Sequence, residues 1–233
     1  MKNIISFYHR LFDLISPRAC PVCSKRLGVM EETLCATCNR HLPRTFFWEH
    51  PLDNEMAKSF WLQIPVEKVA ALFFYEAQSE ASRLIYNLKY KGHPEIGEQL
   101  GRMTAEEMKG SGFFENIDLL LPVPLASVRE RQRGYNQSME IALGIEEVTG
   151  IPICRDALRR ISFTDSQTQK DRRSRQENVA KAFQLMNADK ISGKHLLLID
   201  DVVTTGATLI ACGQELLKAH PRCLSLLSLG FTH

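Results

Sequence analysis

From Val66 onward the chain alternates short apolar runs with longer stretches in which apolar residues recur every three to four positions. Residues 69–75 (Val-Ala-Ala-Leu-Phe-Phe-Tyr) predict a strand. Over 82–90, Leu84, Ile85 and Leu88 share one helical face, and Gly92 supplies a stop. Residues 117–123 predict a buried strand that ends in Pro122-Val123-Pro124. Over 136–148, Met139, Ala142, Ile145 and Val148 are in helical register, with Gly150 and Pro152 as terminators. A strand at 196–199, a helix at 207–219 and a strand at 223–229 complete the pattern. Strand, helix and strand at these lengths predict parallel crossovers, hence an α/β fold.

Residues 17–60 read differently: they hold four cysteines and several prolines and show little periodicity. Ahead of them Ile4, Phe7, Leu11 and Leu14 fall at helical spacing and predict a short packed helix. We therefore expect an N-terminal helix and cysteine module over 1–62 and a second domain over 63–233, its core at about 117–233.

Composition narrows the setting. A net charge of +2 in 233 residues sets up no bulk field that demands a polyanion or a membrane. No apolar run approaches the ~18 residues of a membrane span, and the first residues lack a small-residue cleavage site. A cytoplasmic, reducing compartment is expected, where clustered cysteines ligate metal rather than pair as disulfides.

The chemistry concentrates where the strand at 196–199 meets the next helix. Asp200 and Asp201 are expected just past the strand end, followed by Val202, Val203, Thr204, Thr205, Gly206, Ala207 and Thr208. In open α/β sheets ligands bind beyond the carboxyl ends of the strands. The loop backbone and the helix N-terminus form an anion site, Gly206 allows close approach, and three threonines add hydroxyl donors. Neighbouring carboxylates would repel a phosphate unless a sugar separates them, and they can also hold a Mg²⁺ shell. A ligand with a 5′-phosphate, ribose hydroxyls and a metal-bound pyrophosphate satisfies every group: 5-phosphoribosyl-1-pyrophosphate (PRPP). At these residues the sequence resembles the phosphoribosyltransferase family. The competing reading is a strand-to-helix turn whose acids merely cap the helix.

Cys20-x-x-Cys23 and Cys35-x-x-Cys38, with eleven residues between them, are two thiolate knuckles suited to one structural Zn²⁺. A segment this poor in core residues needs such a staple. His41 and His50 are alternative ligands without a telling spacing, and a vestigial site or a redox pair are the other readings. Cys154, Cys212 and Cys223 read as small buried apolar residues.

A four-cysteine module joined to a PRPP loop resembles the ComF family of competence-associated, phosphoribosyltransferase-like proteins. The resemblance runs through Cys20-Pro-Val-Cys23, Leu88-Lys-Tyr-Lys-Gly92, Leu121-Pro-Val-Pro-Leu125, Arg131-Gln-Arg-Gly-Tyr-Asn-Gln137, Thr164 and Gln167 through Asn178-Val179, and the loop at 200–208. It departs at Tyr135, where the family often has Phe, and near Lys170, where Leu is common. It implies a type I phosphoribosyltransferase fold with a zinc ribbon. It also implies a pyrophosphate-side loop at 122–124 in which Val123 and Pro124 contact PRPP, and Arg133 acting with Mg²⁺ on the leaving pyrophosphate. It further implies DNA uptake, with single-stranded DNA and helicase or recombination proteins as partners.

Arg129, Arg131 and Arg133, and a second group of Arg172, Arg173 and Arg175, read either as solvated surface or as contacts to pyrophosphate or a polyanion. Residues 163–178 read as a lid over a reactive sugar. The chain has no evident nucleobase pocket, and its few aromatics give little sign of a base-stacking platform. Two functions stay open: transfer of phosphoribose to an unidentified acceptor, and a non-catalytic module that senses PRPP or handles single strands.

Overall fold

The computed structural model describes residues 18–161 and 182–232. The expected N-terminal helix, the expected lid at 163–178, and Arg172, Arg173 and Arg175 lie outside the described residues, as do Thr164, Gln167, Asn178 and Val179.

The centre is a four-stranded, all-parallel sheet of β1 (Val69–Phe74), β2 (Leu119–Pro122), β5 (His195–Val203) and β6 (Cys223–Phe231), in the order β1-β6-β5-β2. A short antiparallel pair, β3 (Leu158–Arg160) and β4 (Phe183–Leu185), stands apart from it. The central strands are continuous apolar runs because helices cover both faces of such a sheet. Leu196 to Ile199, for instance, are wholly buried.

The predicted strands are present, with one difference of consequence. Pairing of β5 with β6 does not stop at Ile199. It continues through Asp200↔Ser228, Val202↔Gly230 and Val203↔Phe231. The two aspartates therefore sit inside the last turns of the pleat, on opposite faces, rather than past the strand end.

Helix α3 (Glu80–Tyr90) starts at Ser79, whose Oγ accepts from Ser82 N, and is followed by Gly92 at φ +71°. Helix α6 (Gln137–Thr149) is capped by Asn136 and ends at Gly150, φ +73°. The periodicity missed α4 (Pro94–Met108), which opens with proline in its first turn, and α5 (Ser127–Arg133). The pairing of α4 with α6 depends on glycine. A Cβ on Gly144 would stand 1.9 Å from Glu98 O, and one on Gly101 2.1 Å from Ile141 O. Helix α8 (Ala207–Leu217) returns the chain from β5 to β6 and packs Leu209, Cys212 and Leu216 into the core. A four-residue helix, α7 (Ala188–Ile191), precedes β5.

The cysteine segment is tied to this core. It carries the short α1 (Ala36–His41), a 3-10 turn at Phe47–Glu49 and α2 (Glu55–Lys58). Phe47, Trp48, Met56 and Phe60 are buried, and Asn54 Nδ2 donates to Val69 O at 2.9 Å. Asn87 of α3 donates to Pro21 O at 2.8 Å, fixing the first knuckle against that helix.

Candidate active site and cysteine cluster

Three elements converge at the carboxyl end of β5. Asp200 Oδ1 accepts from Ser138 Oγ at 3.2 Å and from Asp201 N at 2.9 Å. Ser138 lies in the first turn of α6, so that helix delivers a donor onto the acid. Asp201, on the opposite face of the strand, is paired with Lys89 of α3, Nζ to Oδ1 2.9 Å. Burial, and next the charge of Asp201, push the Asp200 carboxyl up to about 7, while its bonds and Lys89 act in the other direction. Two adjacent acids are thus held by different counter-groups, a hydroxyl for one and an ammonium for the other.

Beyond them, Asp200 and residues 202–209 line a cavity of about 40 Å³. That is roughly three times the space a single water needs, the scale of one phosphoryl group. Thr204 and Thr205 are exposed there, and Gly206 caps α8 at φ +74°. Phe60 closes the side of Gly206 that a Cβ would take, 3.0 Å away, so the open face is the threonine side. The first amides of α8 lack intrahelical partners and face this end of the sheet.

The loop at 122–124 is anchored to the same place. Val123 N donates to Ile199 O at 2.9 Å, and Val123 O accepts from Asn136 Nδ2 at 3.0 Å. Arg133 donates to Gln137 Oε1 at 2.7 Å and lies 5.1 Å over the Tyr90 ring. Gln137 is buried, and its Nε2 has no hydrogen-bond partner among the described residues. Arg129, Arg131 and Arg133 occupy one short helix at two-residue spacing, so they cannot all face one ligand.

Sequence reasoning missed what three groups do. Lys89 and Tyr135 were legible only as parts of resemblance motifs. Arg160, at the end of β3, feels the field of Asp200 and lies 5.2 Å over Phe183. Tyr135 donates its hydroxyl to Leu88 O, joining the 131–137 motif to the end of α3.

Cys20, Cys23, Cys35 and Cys38 bring their sulfurs within 4.8 Å of one another, with Cys23 and Cys35 3.7 Å apart. Sulfurs at ~2.3 Å from one tetrahedral ion stand about 3.8 Å apart, so the donor set fits a metal. The Lys25 amide draws the Cys23 thiol down to about 7, whereas burial and neighbouring thiols push Cys38 up. Glu67, His195 and Cys223 also approach one another. There, however, His195 Nε2 is engaged by Ser225 Oγ at 2.8 Å, and Lys68 and Arg222 oppose a cation.

Residues 105–229, more than half of the chain, match the sequence model of the phosphoribosyl transferase domain. The chain belongs to that family. Among curated proteins, this phosphoribosyl transferase domain chain is 29% identical to the DNA utilization protein YhgH of Escherichia coli O157:H7, over 85% of this chain and 84% of that protein. It is 28% identical to competence protein F of Haemophilus influenzae, over 55% of this chain and 58% of that protein. Competence protein ComFC of Bacillus subtilis is 27% identical, over 43% and 38% respectively. With these relatives it is a ComF-family member, as its motifs implied.

Solved structures are more distant. The allosteric regulatory enzyme of purine biosynthesis is 18% identical with a TM-score of 0.42, over 61% of this chain and 29% of that chain. A Trypanosoma cruzi hypoxanthine phosphoribosyl transferase is 16% identical with a TM-score of 0.35, over 59% and 64%. At these values the likeness carries no argument. Among the described residues no helix is long and apolar enough to cross a membrane.

Proposed function

We propose that the chain binds PRPP with Mg²⁺ at the end of β5 and transfers its phosphoribose to an unidentified nucleophilic acceptor that attacks C1, releasing pyrophosphate. The observation that carries this reading is the small threonine-lined cavity at the start of α8, next to two carboxylates that keep separate counter-groups. In it, residues 202–208 hold the 5′-phosphate, with amides of the loop and of α8 as donors. Asp200 and Asp201 accept from the ribose hydroxyls. Val123 and Pro124 border the pyrophosphate, and Arg133 leaves Tyr90 to neutralise the departing charge. Mg²⁺, when bound, supplies further charge neutralisation there. The four cysteines hold a structural Zn²⁺.

Titration calorimetry with PRPP and Mg²⁺ tests the ligand. Heat is expected from the wild type, and a loss of at least tenfold in affinity from the Asp200→Asn/Asp201→Asn double variant, as for a lost charge-assisted hydrogen bond. Equal heats from both proteins would end the reading. Pyrophosphate release with mixed acceptors then separates transfer from binding alone. The names of the relatives, a DNA utilization protein and two competence proteins, support a role in DNA uptake; the partners we propose for it are single strands and the proteins that unwind or recombine them.

A further inference from the structure

We infer that the groove between the Cys20–Cys23 knuckle and the outer face of α3 binds a nucleic-acid single strand, with Tyr86 and Tyr90 as its stacking surface. This rests on the reading that the chain handles DNA; the groove adjoins the PRPP site, with which it shares Arg133 and Lys89.

Leu84, Ile85 and Leu88 turn one face of α3 into the core. Arg83, Tyr86, Asn87 and Tyr90, at i, i+3, i+4 and i+7, form the other. Tyr86 and Tyr90 are 53% and 61% exposed, with ring centroids 5.1 Å apart. Arg133 adds a guanidinium over Tyr90. The result is a column of cation, ring and ring on the surface, where an isolated exposed aromatic would need no explanation. Base–aromatic stacking with Arg nearby is how sequence-tolerant single-strand sites work. The aromatics are few, as composition says, but the helix period sets two of them side by side.

The surroundings match a strand rather than a small molecule. The groove holds about 1150 Å³, above the roughly 300–1,000 Å³ of ordinary ligand pockets. Arg18, Arg83 and Lys91 line it, together with Lys89, whose charge is shared with Asp201. Of its two acids, Glu95 is 2.7 Å from His93, and Glu32 stands at the rim, 4.0 Å from Arg102. One wall is the cysteine knuckle, pinned to α3 by Asn87. A duplex keeps its bases stacked inside and cannot use the tyrosines.

Fluorescence anisotropy of a labelled oligothymidine, titrated with the full metal-bound chain, tests this. The wild type is expected to bind the single strand more tightly than a duplex of equal length. Tyr86→Ala and Tyr90→Ala should each weaken binding on the order of tenfold, while Tyr86→Phe, which keeps the ring, stays within about twofold. Arg83→Gln should lower the salt slope by about one. PRPP calorimetry on Tyr86→Ala should match the wild type, which separates this proposal from the PRPP reading; Tyr90, on which Arg133 rests, is not used for that control. Should Tyr86→Ala lose PRPP heat as well, Tyr86→Phe and Arg83→Gln decide. Oligothymidine binding that ignores both alanine variants overturns the proposal. So does equal affinity for heparin, which marks an acidic-polymer surface, or for a mononucleotide, which marks a nucleotide pocket.

Discussion

Lys89 and Asp201 form an ion pair, Nζ to Oδ1 2.9 Å, that ties α3 to the end of β5 and leaves Asp200 to rely on Ser138. The pair shares its charge with both acids, since Lys89 also lowers the Asp200 carboxyl pKa. Lys89→Met is expected to push Asp200 above its value of about 7. Carboxyl-detected NMR titration of the two proteins measures this, and an unmoved Asp200 titration would show that the lysine is not its counter-charge.

The same shift has a consequence for stability. Asp200 titrates near 7 in the folded chain against an ordinary value of 3.8. Between these the folded state holds the extra proton. The stabilisation is complete below about pH 4 and is lost as pH rises through about 7. In Asp200→Asn that component is absent, so the melting temperature of the variant relative to wild type should climb from pH 4 to pH 8. A difference that stays flat across this range would contradict the assignment.

Gly144 marks the closest approach of two helices. An alanine Cβ there would lie 1.9 Å from Glu98 O, backbone that cannot swing aside. Gly144→Ala is expected to destabilise by about 3 kcal/mol or more, read from urea unfolding. Gly110, whose Cβ would meet nothing within 4 Å, is the control, and its alanine variant should be neutral or slightly stabilising.

Tyr135 donates to Leu88 O, a carbonyl in the last turn of α3 that has no onward helical partner. Tyr135→Phe, which keeps the ring and removes the donor, should cost about 1 kcal/mol. Urea midpoints of the two proteins report it, with an unchanged slope if the fold is otherwise intact.

The cysteine cluster predicts about one zinc per chain in protein prepared without chelator. Cys38→Ser should abolish the stoichiometric metal seen by native mass spectrometry and lower the melting temperature. Metal retained in full by Cys38→Ser would show that the four sulfurs do not act as one site.

What the linear sequence determined is whatever depends on neighbours along the chain. Continuous apolar runs identified β1, β2, β5 and β6, because a strand covered on both faces has no polar side to show. Cysteine pairs and the acid-threonine loop were legible because a metal knuckle and a phosphate loop are each closed by a few consecutive residues. Tertiary structure alone decided the rest. Nothing near Asp200 in sequence predicts that β6 holds it within the sheet, that Ser138 reaches it across 62 positions, or that Lys89 arrives from α3. Helix α4 was missed because Gly97 and Gly101 interrupt its apolar face, and their value exists only against α6, where Gly97 meets Glu140 and Gly101 meets Ile141 and Gly144. The tyrosine column was likewise invisible as composition: it needs the helix turn to bring Tyr86 beside Tyr90, and a second helix to lay Arg133 on top.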